Sequence, residues 1–230
     1  MKRKYEITDV QHPTNPKLFR ICALRAIPNI RVNAGGLGGF IEHEGNLSQT
    51  DDCWIGMHAC AYENAQIYGK AQICNTAQIS GNAKVFGEAQ IYERAVVTEN
   101  TRVSGSARLS GDIWIYGTAQ VSGSAQIYDN AQVFDKAQVC DNARIINEAR
   151  VYETSRVLGN AQVSGNAWVR GNAILNENMW VTGNGCITAS DQIYYADGVT
   201  AYFELNDVLR INGISPGTEY HETLARLKLL

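Results

Sequence analysis

The chain has 230 residues, of which 45% are hydrophobic and 19% charged, with a formal net charge of −3. That is enough apolar material for one sizeable core, and the near balance of charge gives no pull toward nucleic acid or an anionic membrane. The opening Met1-Lys2-Arg3-Lys4 has the charge of a signal n-region, but Tyr5-Glu6-Ile7-Thr8-Asp9 supplies no apolar segment after it, and no run approaches a membrane span. A cytoplasmic protein with no membrane partner is expected.

Residues 1–30 carry no repeat. Lys4–Thr8 and Leu18–Ile27 read as strands, separated by a turn around His12-Pro13-Thr14-Asn15-Pro16. The run Gly35-Gly36-Leu37-Gly38-Gly39 invites a phosphate-loop reading, but it lacks Gly-x-x-x-x-Gly-Lys and a following helix. It reads instead as a tight turn where the chain folds back. Ile41 and Leu47 are six apart, and the next repeat register begins at Ile55, so an irregular first coil with a two-residue insertion is expected.

From Ile67 to Ile193 every sixth residue is aliphatic, and the frame extends back to Ile55. Two places before each one sits a smaller residue, usually alanine, as in Asn82-Ala83-Lys84-Val85-Phe86-Gly87. Six is a multiple of the strand period of two, so each unit can be one short strand with two inward residues. An α-helix is excluded, because a period of six scatters these residues around its axis. The residue after each short strand must turn the chain. It is usually Gly, Asn or Asp, which accept a left-handed backbone. Glu93, Glu99, Glu153 and Glu177 break that preference and are expected to be strained or to use a different turn. Three strands and three corners close a triangle, giving an all-β parallel solenoid of about eight coils, roughly 38 Å long at about 4.8 Å per rung. Ile113 and Met179 fall in slots otherwise filled by small residues, and a local bulge is expected at Ile113.

After Ile193 the repeat fails. Tyr194–Tyr195, Val199–Leu205 and Val208–Ile211 read as strands, and Thr218–Leu230 as a short amphipathic helix with Thr218 as N-cap. The expected organisation is an N-terminal β cap with the irregular coil (1–54), the hexapeptide-repeat solenoid (55–193) and a C-terminal strand and helix cap (194–230).

The order Leu24-Arg25-Ala26-Ile27-Pro28, Gly36-Leu37-Gly38-Gly39-Phe40-Ile41-Glu42, Asn46-Leu47-Ser48, Cys53-Trp54-Ile55-Gly56, followed by hexapeptides, resembles the YdcK-like family of solenoid proteins from enterobacteria and their phages. The likeness covers roughly Leu18 to Ile193. It implies the left-handed parallel β-helix of hexapeptide-repeat proteins. Members are sometimes labelled acyltransferases on fold alone, so the resemblance speaks to architecture rather than activity. The family's phage association would make the protein a phage-encoded, host-directed inhibitor or a ligand-sequestering protein.

Positions eighteen apart stack, which sorts outward residues onto three faces. One face collects Trp114, Tyr116, Phe134, Arg150, Tyr152, Trp168 and Arg170. Large aromatic residues beside arginine are the composition of interface hot spots. The expected function is therefore a non-catalytic binding or structural solenoid that docks a protein partner or itself, as a dimer or trimer, through this face. A stacked ladder that only supports strand pairing is the competing reading. Gln72 above Gln90 and Gln120 above Gln138 are expected to share side-chain amide hydrogen bonds.

The enzymatic alternative is a hexapeptide acyltransferase taking an acyl-CoA donor, which needs a histidine general base. The histidines are His12, His43, His58 and His221, so nearly the whole solenoid has none. His43 and His58 flank the irregular first coil and are the candidate catalytic residues for that alternative. No cofactor is otherwise expected. The six cysteines form no Cys-x-x-Cys pair and fall on different faces, so free thiols and no metal site are expected. Arg144, Arg150 and Arg156 belong to successive units of one coil, a ring and not the basic stripe that a nucleic acid would follow.

Overall fold

The computed structural model describes residues 3–176, 179–188, 192–196, 199–203 and 209–211, the last three groups as backbone strands. The expected terminal helix at Thr218–Leu230 lies outside the described residues, as does Glu177.

The hexapeptides form two-residue strands that stack in parallel on those eighteen residues away. Gln72, Gln90 and Arg108 lie in register on one face, and Gln78, Val96 and Trp114 on another. Three parallel sheets result, of eight, seven and eleven strands, the longest including the N-terminal cap. The two inward positions of each unit behave as the alternation requires. Ala83 and Val85, like Ala89 and Ile91, are fully buried. Rung-to-rung hydrogen bonds are short and even, as in Gln90 N–H to Ala107 O and Gln126 N–H to Ala143 O, both 2.9 Å.

The corners answer the expectation about glutamate differently. Glu93, Glu99 and Glu153 adopt the same left-handed turn as Asp129, with φ of 61°, 61° and 58° against 63°. What offsets the backbone cost is a bond between coils. Glu93 donates its N–H to Asn75 Oδ1, one coil earlier, at 3.4 Å, while Glu99 and Glu153 each accept the N–H of the corner one coil later, from Gly117 at 2.8 Å and from Gly171 at 2.7 Å. Asp135 does the same for Glu153 at 3.1 Å. The side-chain amide ladder also runs through corners. Asn64 donates to Asn82 at 3.1 Å and Asn82 to Asn100 at 3.0 Å, while the stacked glutamines contribute register.

Ile113 is fully buried without a bulge, and Trp114 keeps its parallel register on both sides. The extra volume is absorbed by spreading. Trp114 N–H to Ala131 O and Tyr116 N–H to Val133 O both lengthen to 3.2 Å, and the preceding corner, Gly111, opens to φ 99°.

At the N-terminal end, β1 (Tyr5–Gln11), β2 (Phe19–Ala23) and β3 (Leu37–Ile41) form an antiparallel meander. Strand β3 then pairs in parallel with the strand Cys60–Ala61 and is the first rung of its face. Phe40 stacks on Cys60 and Leu47 on Ile67, twenty residues apart, whereas Ile55 stacks on Ile73 at the regular eighteen. The two extra residues therefore lie between Leu47 and Ile55. The glycine run splits in function. Gly35 turns at φ 81°, but Gly38 and Gly39 are strand residues, where a Cβ would meet Ile55 O at 2.7 Å and Ala59 O at 2.3 Å. Glycine lets the cap strand lie directly on the first coil.

The cap buries polar groups and satisfies them. Lys4 Nζ donates to Asp51 O and Cys53 O at 2.8 Å and to Cys53 Sγ at 3.3 Å. Burial pulls the Lys4 ammonium below its usual pKa and pushes the Cys53 thiol up. Asn46 donates to Glu63 O and Ala65 O and accepts the His43 N–H at 3.0 Å.

At the far end, Cys186–Ile187 is the last described rung stacked on the solenoid, pairing with Trp168–Val169. The strand Gln192–Ala196, which contains Ile193, pairs antiparallel with Val199–Phe203, which in turn pairs with Leu209–Ile211.

Candidate docking face

The seven residues singled out from the repeat lie on one sheet, on strands centred at Trp114–Ile115, Gln132–Val133, Arg150–Val151 and Trp168–Val169. Two outward columns share this face. One carries Trp114, Gln132, Arg150 and Trp168; the next carries Tyr116, Phe134, Tyr152 and Arg170. The period places them there because each hexapeptide turns the same side chain outward and each coil returns to the same face.

The ring geometry decides what the face can bind. Tyr116 stacks on Phe134 with centroids 4.8 Å apart and 2° between planes, and Phe134 stacks on Tyr152 at 4.8 Å and 5°. The ladder spacing is the rung spacing itself. Rings stacked on one another have spent their faces internally, so Phe134 presents its edge to solvent. A flat ligand, such as a sugar ring or a base, needs a free aromatic face. The ladder offers edges and two phenol hydroxyls instead, which suits the side of a protein better.

Indole surface is available at both ends. Trp114 is 51% exposed and Trp168 is 40% exposed. Trp168 meets Tyr152 edge-on at 6.4 Å, and the Arg150 guanidinium sits 5.4 Å from its ring centre. Arg170 lies beside Tyr152 and Cys186. Thr98, Glu99, Trp114, Tyr116 and Gln132 line a shallow recess of about 420 Å³. A second recess, of about 370 Å³, is lined by Trp168, Arg170, Cys186 and two asparagines. Burial against its neighbours raises the pKa of the Tyr116 hydroxyl.

The other faces are less concentrated. Tyr68 stacks on Phe86 at 4.9 Å on one of them. Sequence reasoning did not single out Trp180 and Ile174, which are 39% and 49% exposed on two different faces. The period would have exposed both, since each stands in the outward position before an aliphatic residue.

The histidines are separated. His43 caps the 3₁₀ turn Glu44–Asn46, with Nδ1 accepting the Gly45 N–H at 3.1 Å and Nε2 donating to Glu63 O at 2.8 Å. Both ring nitrogens are thus engaged by backbone. His58 lies at the opposite end of the Cys60–Ala61 strand, exposed in a groove with His12, Cys60, Tyr62 and Thr76. Burial pushes the Cys60 thiol to a pKa of about 11, which leaves it protonated and a poor nucleophile at neutral pH. Among the described residues no group of three or more His, Cys, Asp or Glu is placed to hold a metal ion. All six cysteines are free thiols. Arg144, Arg150 and Arg156 stand on three different sheets. Among the described residues no helix is long and apolar enough to cross a membrane.

Residues 137–153 match the family model described as YdcK Beta solenoid repeat. No curated protein matches the chain. The matched segment is one stretch of the solenoid, running from Ala137 through Glu153.

Proposed function

We propose that this YdcK-like β-solenoid repeat protein is a non-catalytic docking scaffold, which binds a protein surface through the face carrying Trp114, Tyr116, Phe134, Arg150, Tyr152, Trp168 and Arg170. The observation that carries the reading is the ladder with its half-exposed ends. Two indoles at 51% and 40% exposure bracket a continuous aromatic column flanked by guanidinium groups. Desolvating such groups is the main source of binding energy in protein interfaces. The engagement of both His43 nitrogens by backbone, and the protonated state of Cys60, support binding over acyl transfer. The free thiols fit a reducing, cytoplasmic setting.

The test is substitution of Tyr116, Phe134 and Tyr152 by serine together. Each aromatic pair lost costs about 0.5–1.5 kcal/mol of stability, so the variant is first checked to be folded by circular dichroism. The expected result is a lower mass in light scattering, or loss of partners captured by the immobilised protein. A folded variant with unchanged mass and unchanged captured partners rules the reading out.

A further inference from the structure

The docking face is self-complementary about one rung, and we infer that its occupant is a second copy of this chain, related by a two-fold axis running along the Gln132–Phe134 strand. The inference rests on the docking reading above and names the partner and register for it.

Phe134 is the midpoint of the ladder, one coil from Tyr116 and one from Tyr152, at equal 4.8 Å spacings. A two-fold axis along that strand turns the second solenoid antiparallel and keeps each outward column opposite its own copy. Tyr116 then faces Tyr152 and Phe134 faces Phe134, a run of edges against edges. In the neighbouring column Trp114 faces Arg150. Trp114 is the indole left over from the stacked ladder and is half exposed, so it offers its ring to a guanidinium. Val96 faces Trp168. Two coils from the axis, Arg170 faces Thr98 and its corner neighbour Glu99.

Charge and shape favour this arrangement over the alternatives. The two arginines of the aromatic patch, Arg150 and Arg170, lie on the C-terminal side of Phe134, and the recess that contains Glu99 and Trp114 lies on its N-terminal side. The antiparallel two-fold sets the arginines of each copy over the recess of the other. A parallel two-fold, with its axis along the solenoid, would gather four guanidiniums on the same two coils. Like charges brought together in an interface oppose association, whereas matched ones fix its register. The acid of the recess also has a fixed position, since Glu99 accepts the Gly117 N–H through Oε2 at 2.8 Å.

Charge exchange tests the register. In one chain Arg170 and the Thr98–Glu99 corner are four coils apart, roughly 19 Å at the rung spacing, so they cannot pair within a molecule. Arg170→Glu alone and Glu99→Arg alone should each weaken the dimer about tenfold, read by sedimentation at graded concentration. The double variant should return to within about threefold of the wild type. Glu99→Arg also removes a corner bond, so a second measurement avoids it. Gln132→Cys lies on the axis, and a short bis-maleimide should join two copies of that variant far faster than wild-type protein. A wild-type dimer that the serine variant abolishes, but that shows neither rescue nor linkage at residue 132, overturns the antiparallel register and leaves the docking face standing. A monomeric wild type overturns self-association, and the docking reading is then decided by partner capture. A dimer insensitive to the serine variant overturns both.

Discussion

At the scale of single residues, the narrow core shows what a polar atom costs in an alanine slot. Thr101 and Ser155 both replace alanine at the first inward position and are fully buried. Ser155 Oγ donates to Tyr152 O at 2.7 Å and lies 3.2 Å from Val169 O. Thr101 Oγ1 has no hydrogen-bond partner among the described residues. A buried unpaired hydroxyl is costly, while a paired one contributes modestly. Thr101→Val, which keeps the shape, should raise stability by about 1 kcal/mol, and Ser155→Ala should lower it by about 1 kcal/mol. Urea unfolding midpoints check both, and a Thr101→Val variant less stable than wild type would refute the account.

At the scale of the element, each hexapeptide is held by its corner. Most corner glycines lie close against the next coil, where a Cβ would meet its backbone at 2.5 Å at Gly105 and 2.8 Å at Gly87. Gly111 is different. Its φ of 99° lies beyond the other corners, and a Cβ there would meet Asp129 O at 2.2 Å. The cause is in the unit that follows, where buried Ile113 fills a slot sized for alanine and the Trp114 rung parts from the rung after it. Gly111→Ala should therefore cost more than about 2 kcal/mol, and the double variant with Ile113→Ala should recover part of that loss. Chemical denaturation of the two variants separates these outcomes. A Gly111→Ala variant as stable as wild type would mean that the corner has room to move.

At the scale of the whole molecule, the solenoid is a one-dimensional stack whose ends need cover. The N-terminal cover is continuous with the docking face, since β1, β2 and β3 extend the same eleven-stranded sheet. Tyr5, Ile21 and Ile27 belong to the solenoid core, and the Arg20 guanidinium lies 4.3 Å from the Phe40 ring centre. Removing residues 1–36 should leave β3 as an open edge above an uncovered core, a template for edge-to-edge pairing. The expected outcome is aggregation, seen as void-volume material in gel filtration. A truncated chain eluting at the wild-type position would show that the solenoid closes its own end.

The sequence by itself determined the coil, its three faces and the insertion in the first coil. A strand period of two and a repeat of six leave no freedom in which residues turn inward, and every later position follows by counting. The column Tyr116, Phe134, Tyr152 was legible for the same reason. Counting could not supply local compensation. Whether a glutamate corner is strained depends on the N–H one coil later, and whether Ile113 bulges depends on how far two rungs can part. The glycine run read as a turn because glycine marks both turns and close approaches, and only the coil packed against Gly38 and Gly39 distinguishes them. His43 and His58 looked paired along the chain, but the corner geometry sends them to opposite ends of a strand. Tertiary structure also decided that the ladder rings face each other and turn their edges outward, because ring orientation depends on the side chains stacked above and below.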